Sequence, residues 1–217
     1  MVKESATSGP ETPVVPVPAR IGVLISARGS NLQALIDAVA DRRLNAEIAV
    51  VLSNRPGAAG LERARAAGID TVTISHREYP SRDDFDRAVA RALTERGVHL
   101  VCLAGFMRLI GQPMLDAFPS AILNIHPSLL PAFPGIDAQA QAIRHGVKVS
   151  GVTVHLVTGE LDGGPIVVQA TVPVHDDDTA ETLAARILVE EHRAYPEAVR
   201  KVLAGRWRLE GRRFVPL

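Results

Sequence analysis

Three side chains in the second half of the chain have the types and spacing for acyl chemistry. Asn124 and His126 are two residues apart at the end of a short apolar run, residues 121–123. On an extended backbone, residues two apart share a face, so an amide and an imidazole point into the same space. The amide can donate and accept, and the imidazole is the side chain that titrates unperturbed near neutral pH. Pro127 ends the strand and Pro131 stiffens the exit, since proline lacks the N–H a sheet ladder needs. An Asn and a His aimed together from a strand's carboxyl end suit the stabilisation of an oxyanion. The third residue is Asp162, in a loop of turn formers (158–164) that continues Gly163-Gly164-Pro165. Within reach of His126, its carboxylate would stabilise the imidazolium, which could then supply a proton to a leaving nitrogen. His155, on the strand leading into that loop, is placed to brace Asp162. A lone Asp-Gly is by default a turn former, and a lone strand-end His by default a packed or surface residue. The elements that carry these residues therefore decide.

Other chemistries find less support. No nucleophile elbow precedes a Ser-Asp-His order, and Cys102, inside the apolar run 100–104, has no activating base nearby in sequence. Histidines and carboxylates lack clustered metal-ligand spacing. The residues ask for acyl transfer with no covalent enzyme intermediate and no metal.

The elements follow from periodicity. Residues 21–25 read as a buried strand, 26–31 as a polar glycine-bearing turn, and Leu32, Leu35, Ile36 and Val39 as one face of a helix that Ser30 or Asn31 can cap. A strand, a small-residue turn and a helix N-terminus bring free N–H groups and a positive dipole end together, which suits an anion. Without G-x-G-x-x-G or a Walker lysine, a phosphate monoester fits better than a dinucleotide; a plain strand-to-helix connection gives the same pattern. Strands at 48–52, 71–74 and 100–104 alternate with helices at 58–67, closed by Gly68, and 85–96. Such alternation predicts an α/β fold: a doubly wound, mostly parallel sheet. Ligands of such sheets bind beyond the strands' carboxyl ends, where the strand order reverses. Residues 26–31, 105–110 and 124–128 all lie there, so three stretches converge on one crevice. Farther on, a helical segment at 134–145 ends at Gly146, and strands at 149–157 and 165–174 form an antiparallel hairpin at the sheet edge. Thr179 caps a long helix to about residue 203, in which Glu190 and Glu191 read as a solvated face, and residues 207–215 form a terminal hairpin.

Composition sets the bounds. The 24 Lys and Arg balance 24 Asp and Glu, so net charge offers nothing to nucleic acid or an anionic membrane. A single cysteine excludes an intrachain disulfide and suits a reducing compartment. No apolar run is long enough to span a bilayer and no signal-peptide core leads the chain. The expectation is a cytoplasmic protein with a flexible tail at 1–20, rich in Pro, Ser, Thr and Glu, and one domain at 21–217, its phosphate site in the N-terminal half and its catalytic site towards the C-terminal half.

The run Asn124-Ile125-His126-Pro127-Ser128-Leu129-Leu130-Pro131, with Leu161-Asp162-Gly163-Gly164-Pro165 behind it, resembles the formyltransferases that use 10-formyltetrahydrofolate. Within them, Ile25-Ser26-Ala27-Arg28-Gly29-Ser30-Asn31-Leu32-Gln33, Leu103-Ala104-Gly105-Phe106-Met107-Arg108 and Glu191-His192 followed by Tyr195-Pro196 resemble the branch that formylates glycinamide ribonucleotide in purine biosynthesis. The resemblance implies a Rossmann-type formyltransferase domain and a catalytic set of Asn124, His126 and Asp162, with His155 in support. It implies that Gly29, Ser30 and Asn31 hold the phosphate of the ribonucleotide and Glu191 its glycinamide end. Arg82, Met107, Arg108, Leu109 and Ile110 would line the folate pocket together with Asn124, and Thr158, Gly159, Glu160, Leu161 and Asp162 would close over the pteridine. The implied partners are the two small-molecule substrates, with 10-formyltetrahydrofolate as co-substrate, no nucleic acid, no membrane and no metal, in a monomer or homodimer. The chain departs from the family at Ala27, where Gly is usual, and at 136–139, where His is common and this chain reads Ile-Asp-Ala-Gln. Formyltetrahydrofolate hydrolases share the Asn, His and Asp logic but usually carry an added N-terminal domain, for which the tail leaves no room. Methionyl-tRNA formyltransferases carry an added C-terminal domain and more basic charge. A nucleotide-binding module without chemistry would not need all three catalytic residue types.

Overall fold

The computed structural model describes residues 16–217; most of the expected tail lies outside them. Strand β1 (Ala19–Ile25) begins two residues earlier than its apolar run suggests, because Arg20 is tied into the structure through its backbone N–H to the His99 ring (3.0 Å) and its side chain to Glu47. Helix α1 (Ser30–Ala40), β2 (Ala46–Ser53), α2 (Gly60–Ala66), β3 (Thr71–Thr73), α3 (Arg82–Thr94) and β4 (Leu100–Leu103) continue the alternation. The α3 helix starts three residues before its apolar face does, since Ser81 Oγ accepts the Asp84 N–H at 3.1 Å and caps it. A short helix, α4 (Gln112–Ala117), joins β4 to β5 (Ile122–His126); six residues with Pro113 near the start carry too little periodicity to announce it. Then come α5 (Ala138–His145), β6 (Val149–Leu156), β7 (Ile166–Pro173), α6 (Ala180–Leu203), β8 (Trp207–Glu210) and β9 (Arg213–Pro216). The segment expected to be helical from 134 is a turn until Ala138, with Phe133, Gly135 and Asp137 all at positive φ.

One nine-stranded sheet results, in the order β3-β2-β1-β4-β5-β6-β7-β9-β8. Strands β3 to β5 are parallel neighbours, and β6 and β7 run antiparallel. The β6–β7 hairpin is therefore interior; the terminal β8–β9 hairpin extends the sheet past it, joined to β7 through Ile166 and Arg213. The order reverses between β1 and β4, which makes their carboxyl ends a topological switch point. Alternate residues of each strand feed two cores. Ile21, Val23, Cys102, Leu123 and Ile125 pack on the side of α1 and α6, and Leu24, Val101, Leu103 and Ile122 on the side of α3 and α4. The α6 helix carries a capping box in which Thr179 and Thr182 satisfy each other's N–H. Its Tyr195, fully buried, donates its hydroxyl to the Leu103 carbonyl (2.9 Å) with the Leu123 carbonyl at 3.2 Å. One side chain thus ties the ends of β4 and β5 together beside Asn124.

Candidate active site

Asn124 and His126 are the third and last residues of β5, with the parity of Ile122, so both turn away from the α6 core. Antiparallel pairing sets His155 opposite Asn124 and Thr153 opposite His126. The chain leaving β5 is fixed from β6: Thr153 Oγ1 donates to the Ser128 carbonyl (2.7 Å) and accepts the Leu130 N–H (3.0 Å), while Gln169 Nε2 donates to the Leu130 carbonyl (2.9 Å). These hydrogen bonds hold His126 at the strand's lip.

Asp162 comes from the β6–β7 loop and stands at the centre of the group. Its Oδ2 accepts the Gly135 N–H at 2.8 Å and lies 3.5 Å from His126 Nδ1. Its Oδ1 accepts from Asn124 Nδ2 at 3.4 Å and lies 3.7 Å from His155 Nε2. Burial pushes the carboxyl up, but His155, the Gly135 N–H and the facing His126 outweigh it and hold Asp162 below the usual carboxylate value. The ring of His126 meets acceptors on both sides, because its Nε2 donates to the Phe133 carbonyl at 2.8 Å. Two acceptors suit a ring bearing a hydrogen on each nitrogen. The His155 ring has its Nδ1 3.0 Å from the Leu156 carbonyl and its Nε2 3.2 Å from the Asn124 amide nitrogen. The contacts of the Asn124 amide to His155 and Asp162 are long, so an incoming oxyanion can replace them.

The second group lies at the end of β1. Gly29, at φ 70°, is the N-cap residue of α1, and neither Ser30 nor Asn31 caps it with a side chain. Asn31 instead donates to Glu191 Oε2 of α6 at 2.7 Å, in a buried contact. The expected solvated Glu191 is thus inside, where burial pushes its carboxyl up against the opposing effect of Asn31. Gly29 also packs against Gly60: a Cβ on Gly29 would lie 2.8 Å from the Gly60 Cα. An open cleft of about 480 Å³ adjoins this turn, lined by Ser26, Ala27, Arg28, Arg55 and residues 57–59.

The β4–α4 loop joins the two groups. Ser26, at the end of β1, donates its N–H to the Gly105 carbonyl (3.1 Å), accepts the Met107 N–H on Oγ (2.9 Å) and donates that hydroxyl to Asn54 (2.7 Å). Met107 and Leu109 are 65% and 55% exposed, while Arg108 lies over the Phe85 ring, 5.4 Å from its centroid. Ile110 packs on the α3 side. Arg82 opens α3 beside Gly111. Of the 158–162 loop, Leu161 is 57% exposed, Glu160 pairs with Arg212 at 3.2 Å and its N–H reaches Thr158 Oγ1 at 3.4 Å. Apolar side chains held out into solvent beside a buried, unpartnered Arg108 Nε suit a flat aromatic ligand with polar edges. Cys102 is outside all of this; burial pushes its thiol up to about 12.

The structure brings Asn124, His126, His155 and Asp162 within hydrogen-bonding or ion-pair range, and Gly29, Ser30, Asn31 and Glu191 into a second group. The Phe133 carbonyl, the Gly135 N–H, Thr153 and Gln169 are further parts of the site that sequence reasoning did not find. Two of them are backbone groups, which no residue type announces.

The fold is that of a formyl-group transferase: the chain belongs to the formyl transferase family, whose model matches residues 19–199. Within it the chain falls in the phosphoribosylglycinamide formyltransferase branch. The phosphoribosylglycinamide formyltransferase of Escherichia coli (strain K12) is 41% identical over 203 residues, 90% of this chain and 96% of that protein. A crystal structure of glycinamide ribonucleotide transformylase 1 from Symbiobacterium toebii superimposes with a TM-score of 0.91 at 58% identity, covering 92% of this chain and 94% of that one. The trifunctional purine biosynthetic protein adenosine-3 of Gallus gallus is 48% identical over 186 residues, and the chain spans only 18% of its length. Among the described residues no helix is long and apolar enough to cross a membrane.

Proposed function

We propose that this chain transfers the formyl group of 10-formyltetrahydrofolate to the amine of glycinamide ribonucleotide, giving formylglycinamide ribonucleotide and tetrahydrofolate. The observation that carries the reading is the Asp162 hub, which gathers Asn124, His126 and His155 at the carboxyl end of β5, next to β4 and its 105–111 loop, with the 29–31 turn beyond that loop at the end of β1. In this reading Gly29, Ser30 and Asn31 take the phosphate at the N-terminus of α1, and Glu191 takes the glycinamide end. Arg82, residues 107–110, Asn124 and the 158–162 loop take the folate, which supplies the formyl carbon. Holding both substrates in one crevice supplies much of the acceleration. The amine nitrogen forms the new C–N bond, and Asn124 and the His126 imidazolium stabilise the oxygen as it gains charge. Asp162 keeps His126 charged and aligned, His155 braces Asp162, and the proton lost by the amine passes to the departing N10 as the old C–N bond breaks. No side chain bonds to the formyl carbon.

The unit at work is a single domain from about residue 19 to 217, a monomer or homodimer in the cytoplasm, where a buried reduced Cys102 is at ease. Pure protein incubated with 10-formyltetrahydrofolate tests the reading. Tetrahydrofolate should form only when glycinamide ribonucleotide is present; release without it makes the chain a hydrolase, and no release in either case refutes the chemistry.

A further inference from the structure

A buried carboxylate lies away from the reacting groups, under the 105–111 loop. Asp86, on the second turn of α3, is 1% exposed, and its Oδ2 accepts the Gly111 N–H at 2.6 Å. Burial pushes its carboxyl up, while the Gly111 N–H and the nearby Arg82 and Arg108 work the other way. A buried charge is costly unless something compensates it, so a carboxylate kept here needs a reason. The loop above supplies one. At its near end the Met107 N–H is fixed to Ser26 Oγ at 2.9 Å. Midway Arg108 lies over the Phe85 ring. At its far end the Gly111 N–H is fixed to Asp86, and the approach is so close that a Cβ on Gly111 would lie 2.8 Å from Asp86 Oδ2, and 3.4 Å from Arg82 Nε and Asp83 Oδ1. Gly111 has φ −99°, which any residue can adopt; closeness to the carboxylate, not backbone freedom, is what asks for glycine there.

We propose that Asp86 is a positioning residue for folate binding: through the Gly111 N–H it clamps the far end of the 105–111 loop, so that the exposed Met107 and Leu109 present a preformed face to the pteridine. This rests on the reading of that loop as the folate side of the site. A preformed face spares the ligand the entropy of ordering the loop, so the clamp, at the end of the loop away from Ser26 and the phosphate turn, acts on folate affinity.

The test is calorimetric binding of tetrahydrofolate and, separately, of glycinamide ribonucleotide to the full chain, with hydrogen exchange of the 105–112 amides on the free protein. Asp86→Ala removes the acceptor, Gly111→Ala pushes it away and Asp86→Asn keeps an acceptor oxygen. Losing one charge-assisted hydrogen bond should weaken tetrahydrofolate about tenfold in Asp86→Ala and Gly111→Ala. Their 105–112 amides should exchange faster, and their ribonucleotide affinity should stay within about twofold. Asp86→Asn should recover most of the folate affinity. Tetrahydrofolate affinity unchanged in Gly111→Ala, or both ligands weakened alike, would overturn the clamp, and Gly111→Ala decides the point even where Asp86→Ala fails to fold. A wild-type chain that binds ribonucleotide but not tetrahydrofolate would overturn the function reading and the clamp together.

Discussion

Replacing Asp162 with Asn keeps the shape of the hub and its backbone, since Asn tolerates the left-handed region that Asp162 occupies at φ 49°. What it removes is charge and one acceptor. The Asn oxygen can still take the Gly135 N–H, now at 2.8 Å. Its NH2 would then face the Asn124 amide and His155, which the carboxylate now approaches at 3.4 and 3.7 Å. One donor loses its acceptor at a distance where the bond is already long, so stability should fall by about 1–2 kcal/mol, or roughly 2–8 °C in a chain of this size. Turnover should suffer more. Without the carboxylate, His126 loses the partner that faces and aligns it at 3.5 Å, and catalysis at Asn124 and His126 weakens together. A loss of about 10²–10⁴-fold in kcat is the scale of such a contribution, equivalent to about 3–5 kcal/mol. Asp162 is held below its ordinary 3.8. Its contribution to stability is therefore complete at neutral pH and is lost only as pH falls below 3.8 and through the lowered value. An acid limb in the rate profile nearer neutrality then belongs to another group. Steady-state kinetics in both substrates, with a thermal melt of the same samples, decides the matter. A folded Asp162→Asn variant with kcat within about threefold of wild type would refute the reasoning.

Four other substitutions probe the frame. Glu191 is pushed up by burial, so its stability penalty grows as pH rises from 4.5 through the raised value; Glu191→Gln should raise Tm at neutral pH by about 2–4 °C while KM for glycinamide ribonucleotide rises at least tenfold, and a lower Tm would contradict that sign. A Cβ on Gly164 would overlap the Leu156 carbonyl oxygen, which is backbone and cannot yield, whereas one on Gly163 meets only the exposed Glu160 side chain. Gly164→Ala should thus cost about 3 kcal/mol or more and Gly163→Ala less than about 1, as denaturant titration would show. Tyr195→Phe strips the hydroxyl from between the Leu103 and Leu123 carbonyls and should lower stability by about 1–2 kcal/mol, read from the same titration.

The sheet was legible because β1, β2 and β4 are apolar on both faces and the helices between them keep a 3.6-residue period, so local pattern and tertiary burial agree. The crevice was legible too, as the glycines at 29, 105, 163 and 164 mark where backbone must turn at strand ends. Glu191 was not: a mid-helix carboxylate beside Glu190 has the pattern of a solvated face, and only the approach of Asn31, 160 residues away in sequence, buries it. The same holds for the cap of α1, where Ser30 and Asn31 have the right chemistry but Asn31 is recruited by α6 and Gly29 takes the cap position. The placing of the terminal hairpin outside β7 rests on a single parallel pair, and strand pairing leaves no trace in one strand's own period. The Phe133 carbonyl and the Gly135 N–H act through the backbone, so their residue types carry no signal of it.

The central claim is that the formyl carbon passes directly between the two bound substrates at Asn124, His126 and Asp162. Following 13C-formyl-labelled 10-formyltetrahydrofolate by NMR, with intact mass analysis of the protein during turnover, tests it most directly. All of the label should appear in formylglycinamide ribonucleotide, with no free formate and no formyl adduct on the chain, and His126→Ala should abolish its appearance. Label accumulating as formate, or on the protein, would contradict the account.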